Sequence, residues 1–322
     1  MEGDDEMMNK SEVDFCDFSW NPVTGCESNC VYCFARKQAQ RFCGDIRLNK
    51  ASDQLQSIPG KGLWVLEEPF KNSQGKVIPL PVGFEPTLHR YRLPMPAQKK
   101  KPANIFVCSM ADLFGEWVPD DWIREVLAAC PAAPWHNYLF LTKNPERYPK
   151  TVEAYGSFEN VWLGTSITEP EDVAKVTQLP EGFHRFVCFE PLLGRMDAKR
   201  LPGLLESVDW VIIGAETGQR KAKTIPDRKW IEEIISACRR NSIPVHIKAS
   251  SEMTAVWGKD LIQERPEQLK HDEVIIPHCK ECEHSRMTPQ GKRGNRYDCD
   301  RTNRHIAGRY TRTSPPWCPL RG

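Results

Sequence analysis

From residue 104 onward the chain alternates between short apolar runs and amphipathic stretches. The runs are NIFVC (104–108), NYLFLT (137–142), NVWLGTS (160–166), RFVCFE (185–190), WVIIGAE (210–216) and PVHIKA (244–249). They are rich in β-branched and aromatic residues and predict strands. Between them, WIREVLAAC sets Trp122, Ile123, Val126, Leu127 and Cys130 at i, i+1, i+4, i+5 and i+8. WIEEIISAC repeats the spacing with Trp230, Ile231, Ile234, Ile235 and Cys238. Each is one stripe of a 3.6-residue helix. The echo is short and differently flanked, a shared packing solution and not an internal repeat. With VDFCDFSW (13–20) as a first strand, about seven strands alternate with helices. The expected fold is α/β, a partial (β/α) barrel, with an open doubly wound sheet as the alternative.

The polar residues gather where a barrel carries its chemistry. Each run closes on a polar or charged group: Ser109 to Asp112, Thr142 and Lys143, Thr165 and Ser166, Glu190, Glu216, Lys248. Barrels place their sites at the C-terminal strand ends. Strands leaving into solvent also end this way, but six in succession favour a site. Residues 44–103 break the rhythm with many prolines and glycines, and HRYRLPMPAQKKK (89–101) holds five Lys or Arg and no acid. This predicts a long insertion with little regular structure, either functional or a solvated basic loop.

Composition narrows the class. The 322 residues are 40% hydrophobic and 27% charged, which suits a soluble protein with a sizeable core. A net charge of +1 makes no case for a membrane or nucleic-acid partner beyond local clusters. The acidic start, MEGDDEMMNKSEVD, is unlike a secretory or transit segment. No apolar run approaches the roughly 18 residues that span a bilayer. A cytoplasmic protein with reduced thiols is expected, and its 13 cysteines then point to metal before disulfides. Cys108, Cys130, Cys188 and Cys238 sit among apolar residues and read as small core side chains.

The remaining cysteines cluster. In WNPVTGCESNCVYCFARKQAQRF (20–42), Cys26, Cys30 and Cys33 follow a C-x3-C-x2-C spacing, Tyr32 precedes the third, and an aromatic-flanked basic run follows. Three thiolates leave one position of a four-ligand site open. Two other readings use the same residues: a zinc site completed by Cys43 or Cys16, or a closed electron-transfer cluster.

The loop resembles that of the radical S-adenosylmethionine (SAM) superfamily. A narrower resemblance covers the chain to about residue 258. WNPVTGC, FVCSMADLFGEWVP, FLTKNPERY, VWLGTSI, RFVCFEPLLG, WVIIGAETG and PVHIKASSEMTAVWG occur in order and look like the phage-associated three-Cys-motif family (DUF5131). Two departures are a compact loop, with only Glu27, Ser28 and Asn29 between the first two cysteines, and Ala215 where a second glycine is usual. The resemblance implies a radical-SAM-type partial barrel and a [4Fe-4S] cluster on Cys26, Cys30 and Cys33. S-adenosyl-L-methionine would chelate the open iron, with Tyr32 beside its adenine. A one-electron reductant of flavodoxin or ferredoxin type would drive cleavage to a 5′-deoxyadenosyl radical, which abstracts hydrogen from a substrate the sequence does not name. With that chemistry, strand-end position assigns cofactor contacts to Asp112, Ser166 and Glu190. Lys143, Glu216 and Lys248 take the catalytic positions, orienting substrate or the SAM carboxylate. A Lys–Glu pair holding the mouth together is the plainer role for the same residues.

The tail carries Cys279, Cys282, Cys299 and Cys318 in a basic, core-poor segment. Four soft ligands predict a closed structural zinc site, with an auxiliary iron–sulfur cluster as the alternative. His278, His284 and His305 are substitute ligands or bystanders. Residues 285–313 hold eight Lys or Arg against two Asp, which makes nucleic acid a candidate partner and a partnerless basic surface the plain alternative. The expected organisation is a barrel over 1–258 and a basic cysteine-rich domain over 259–322. The expected function is a radical SAM enzyme, its substrate a candidate nucleic acid or nucleotide. The alternative is a non-catalytic nucleic-acid-binding protein with two structural metal sites.

Overall fold

The computed structural model describes residues 8–152, 159–217, 220–270, 279, 282, 284–289 and 295–306. It divides into two compact units, Met1–Lys270 and His271–Gly322. The first unit opens with β1 (Asn9–Lys10), β2 (Phe18–Trp20) and β3 (Val23–Thr24), then α1 (Phe34–Phe42) and α2 (Ile46–Lys50). β4 (Gln56–Ile58), β5 (Leu63–Leu66), β6 (Thr87–His89) and α3 (Met95–Gln98) follow. The alternating part runs β7 (Asn104–Val107), α4 (Asp120–Ala129), β8 (Asn137–Thr142), α5 (Tyr148–Val152) and β9 (Val161–Ser166). It continues through a 3-10 helix (Pro170–Gln178), β10 (His184–Phe189), α6 (Leu201–Leu205), β11 (Trp210–Ile213), α7 (Arg228–Arg240), β12 (Val245–Ile247) and α8 (Ser251–Trp257).

The main sheet has the order β1-β2-β7-β8-β9-β10-β11-β12. From β2 to β12 every pairing is parallel, and β1 lies antiparallel on the edge. Parallel strands in chain order wind one way only; a doubly wound sheet would reverse its order partway. The partial barrel is therefore the architecture, and the doubly wound alternative is set aside.

Strand alternation sorts the side chains onto two faces. One face carries Ile105, Val107, Tyr138, Phe140, Leu163, Val187, Val211 and Ile213, packed against the buried stripes of α4 (Ile123, Val126) and α7 (Ile231, Ile234). The intervening residues Leu139, Trp162, Phe186, Cys188, Trp210 and Ile212 form a second core with Phe15, Cys16 and Leu269. Gly164 lies on this face because a Cβ there would sit 2.4 Å from the Phe186 ring. Cys108, Cys130, Cys188 and Cys238 are buried as expected, and burial pushes the Cys108 and Cys238 thiols up to about 12.

The insertion is not irregular. Its strands join β3 in a second sheet, order β3-β6-β5-β4, over a core of Leu55, Leu66, Phe70 and Val82. Its basic run is anchored too. Arg90 pairs with Glu67 at 2.5 Å and Glu125 at 2.8 Å, and Lys99 lies 4.0 Å over the Phe18 ring. These strands have three or four residues each, too short for alternation to register.

Residues 259–270, expected in the tail, belong to the first unit: Gln263 bridges His246, and Glu264 accepts from Val245 N–H. In the second unit β13 (Ser285–Pro289), β14 (Asn295–Cys299) and β15 (Arg304–Ile306) form an antiparallel sheet over Cys279, Cys299 and Ile306. Among the described residues no helix is long and apolar enough to cross a membrane.

Candidate active site

The cysteine loop follows β3 of the second sheet and is held from two sides. Gly25 adopts φ +85°, and a Cβ there would meet the Glu85 carbonyl oxygen at 2.3 Å. Its N–H donates to Met110 O at 2.9 Å, and Cys26 N–H donates to Phe84 O at 3.2 Å. The insertion is thus the buttress of the loop. Arg36 reaches back to donate to Cys26 O at 2.8 Å and Asn29 Oδ1 at 3.1 Å, fixing the hairpin of chain between the first two cysteines. Cys33 caps α1, its sulfur accepting the Arg36 N–H at 3.4 Å.

Cys26, Cys30 and Cys33 are half-buried and in no disulfide. The two cysteines that could have closed the set are elsewhere. Cys16 lies in the inner core, donating to Ser11 Oγ at 3.2 Å, with burial raising its pKa to about 11. Cys43 ends α1, donating to Gln40 O at 3.3 Å, a helix length of roughly 13 Å from Cys33. Among the described residues no three His, Cys, Asp or Glu side chains converge on a single-ion site. A four-iron cluster makes a different demand, since each thiolate ligates its own iron. Three accessible soft donors in one loop, without a fourth, fit a cluster that keeps one iron open.

Beside the loop the strand ends bring the expected polar residues together. Asp112 is buried and accepts from Thr142 Oγ1 at 2.6 Å, Lys143 N–H at 2.9 Å and Phe114 N–H at 3.2 Å, tying the ends of β7 and β8. Burial raises its pKa against those bonds. Lys143 Nζ lies 5.5 Å from the Tyr32 ring centroid. Burial opposes its charge, but Tyr32, Cys30 and Asp172 more than offset that and its pKa is raised. Burial also raises the Tyr32 phenol, against Lys143 and Thr168.

Lys248 pairs with Glu190, whose other oxygen accepts from Cys188 Sγ at 3.7 Å. Burial works against the Lys248 charge, and Glu190 more than offsets it, so its pKa is raised. Ser166 sits beside Cys188 in the register of β9 and β10. Lys143 follows β8 and Lys248 follows β12, so both stand at the C-terminal end of the same parallel sheet. Glu216 is the outlier. It forms a fork with Arg220 at 2.5 and 2.6 Å, and that hydrogen-bonded pairing lowers its pKa.

Two residues of this network escape a reading of strand ends alone. Thr168 and Asp172 stand just past β9; Asp172 accepts from Thr168 N–H at 3.0 Å, Thr168 Oγ1 at 2.9 Å and Lys175 Nζ at 2.7 Å. Their only signal was proximity to Ser166. In the tail, burial raises the Cys299 thiol, but bonds from Thr302 and Arg301 outweigh it and lower its pKa. Cys318 lies outside the described residues, so the expected four-cysteine set there is not on view.

A singly wound, open parallel sheet, with a three-thiol loop and charged residues beyond its C-terminal strand ends, defines the class: a partial (β/α) barrel. The chain belongs to the family described as protein of unknown function (DUF5131), whose model matches residues 10–311. Among curated proteins none matches. Among solved structures the chain is similar to spore photoproduct lyase complexed with dinucleoside spore photoproduct, with TM-score 0.48 and 9% identity over 74% of this chain and 78% of that one. A mutant of that lyase with bound AdoMet and the dinucleoside gives TM-score 0.47 and 9% identity over the same shares.

Proposed function

We propose that this protein is a radical SAM enzyme whose loop holds a [4Fe-4S] cluster through Cys26, Cys30 and Cys33. One observation carries the reading. Three half-buried thiols outside any disulfide share a loop beside a charged mouth, while Cys16 and Cys43 are bonded elsewhere. Cluster and SAM together supply, when bound, one-electron cleavage of the sulfonium to methionine and a 5′-deoxyadenosyl radical.

The chain's own residues do the rest. Arg36 and Gly25 fix the backbone of the loop that carries the three sulfurs. Tyr32, beside the third thiol, offers an apolar ring for a purine, and Lys143 against it offers a cation for a carboxylate. Asp112 acts as a positioning residue, since its oxygens already hold Thr142 and the Lys143 backbone. Glu190 and Lys248 present a neutralised pair to the substrate side, and Ser166 adds a hydroxyl beside them. Glu216 orders the loop after β11 through Arg220. An outside one-electron donor of flavodoxin or ferredoxin type completes the reaction. In the tail, Cys279, Cys282, Cys299 and Cys318 are assigned to a structural zinc.

The test is anaerobic reconstitution with iron and sulfide, then SAM and dithionite, with 5′-deoxyadenosine read by chromatography. The expected result is 5′-deoxyadenosine from the wild type. A reconstituted iron protein that leaves SAM intact overturns the proposal.

A further inference from the structure

Arg36 apart, the run after the third cysteine has no part in the chemistry above, and its surface is unusual. Of the eight large apolar side chains exposed among the described residues, four lie between residues 31 and 48: Val31, Phe34, Phe42 and Leu48. Such concentration marks a binding surface. Phe34 is 63% and Phe42 51% exposed. With Gln38 they stand at i, i+4 and i+8 on one face of α1, roughly 12 Å from ring to ring along the axis.

Cations flank that stripe. Residues 34–50 contain Arg36, Lys37, Arg41, Arg47 and Lys50 against one acid, Asp45. Lys50 is neutralised by Glu85. Asp45 is engaged by the Arg47 and Leu48 amides at the start of α2. Lys37, Arg41 and Arg47 are exposed and form no ion pair among the described residues.

The stripe does not face open solvent alone. Phe34, Gln38 and Phe42 line a cavity of about 900 Å³ that Lys10 and Arg92 also line and that reaches Lys248 at the mouth. Arg92 is held by the carbonyls of Asn21 at 3.1 Å and Pro79 at 3.2 Å, uncharged partners that leave its positive charge in place. Glu12 is an acid on the same wall.

We infer that the α1 face and this cavity form a track for single-stranded nucleic acid, which carries an unpaired base to the cysteine loop. Aromatic faces stack bases of any identity, and flanking cations follow the phosphates. Bases held in a duplex have no free face to offer the two rings, so the track selects a single strand. It lies in the first unit, so the basic tail is not its carrier. The inference rests on the reading above only for what happens to the delivered base.

The test uses the full chain, without SAM or reductant, and a fluorescein-labelled oligothymidylate of about twelve nucleotides, within the site sizes of known single-strand binders. Single strand is expected to bind and unlabelled duplex of equal length to compete poorly. Phe34→Ala and Phe42→Ala each weaken binding about tenfold. Phe34→Leu with Phe42→Leu weakens it as well, since leucine keeps the apolar surface and lacks the π-face. Lys37→Glu with Arg41→Glu flattens the slope of log affinity against log salt by about 1.4.

The inference is overturned if the leucine pair binds like wild type, or if duplex competes equally. It is also overturned if Arg296→Glu with Arg304→Glu in the tail abolishes binding while the α1 variants keep it. Binding of an acidic flavodoxin, with no oligonucleotide bound, would make the face a protein-docking surface and overturn it too. The two proposals fail separately. Oligonucleotide bound without 5′-deoxyadenosine formation removes the enzyme and keeps the track, and the reverse pattern removes the track alone.

Discussion

The concave face of the sheet has two ends built on opposite principles. At its base, Phe15, Trp162, Phe186 and Trp210 are fully buried, with Phe15 and Trp210 edge to face at 6.0 Å. At its mouth, beyond the C-terminal ends of β7, β8, β10 and β12, stand Asp112, Lys143, Glu190 and Lys248. The base removes apolar area from water, at roughly 25 cal/mol per Å². The mouth holds charge at low solvation, which is costly unless every charge has a partner. Stability and chemistry are thus separated along one face, and substitutions should separate in the same way.

The sharpest separation comes from the loop. Cys26→Ala, Cys30→Ala and Cys33→Ala together are expected to abolish 5′-deoxyadenosine formation, leaving the apo protein's melting temperature at the wild-type value. Residual cleavage would break the division between loop and barrel. Next is the base: Trp162→Ala should cost about 3–5 kcal/mol in urea denaturation. A loss below about 1 kcal/mol would mean the base is loosely packed.

At the mouth, Lys248→Met should cost roughly 2 kcal/mol by leaving Glu190 without its ammonium. Lys248→Met with Glu190→Met should recover much of that, because an apolar pair avoids the desolvation of both charges. Equal losses in single and double variants would show that the pair is not coupled.

The smallest effect depends on pH. Burial alone would raise the Asp172 carboxyl, but Lys175 and the Thr168 amide and hydroxyl outweigh it and hold its pKa down at about 2, from 3.8. A depressed acid contributes its stability in full above the unfolded value and loses it as pH falls through the folded one. Asp172→Asn should therefore cost about 2 kcal/mol at neutral pH. The difference should shrink between pH 3.8 and about 2. A difference that stays constant across that window would show that Asp172 contributes nothing through its charge.

Much of the barrel was legible because β7 to β11 run four to six residues and its helices repeat one stripe, as α4 and α7 do. The polar mouth was legible for the same reason: alternation shows where a strand stops being apolar. Partners were not. Lys248 finds Glu190 across 58 residues, and no local pattern encodes that distance. Nor could spacing separate Cys16 and Cys43 from the loop, since Cys43 is only ten positions past Cys33 in the chain. The helix between them carries the two sulfurs apart, and only folding shows it. The second sheet was missed because its strands have only two to four residues, too few for alternation to show.

The claim that three loop thiols leave one iron open is tested most directly by paramagnetic resonance. The anaerobically reconstituted protein is reduced with dithionite and recorded with and without SAM. The account predicts a [4Fe-4S]⁺ signal whose g-values shift when SAM is added and which is missing when Cys26, Cys30 and Cys33 are alanine. A cluster signal that SAM leaves unchanged, or a colourless protein that takes up zinc and no iron, would contradict it.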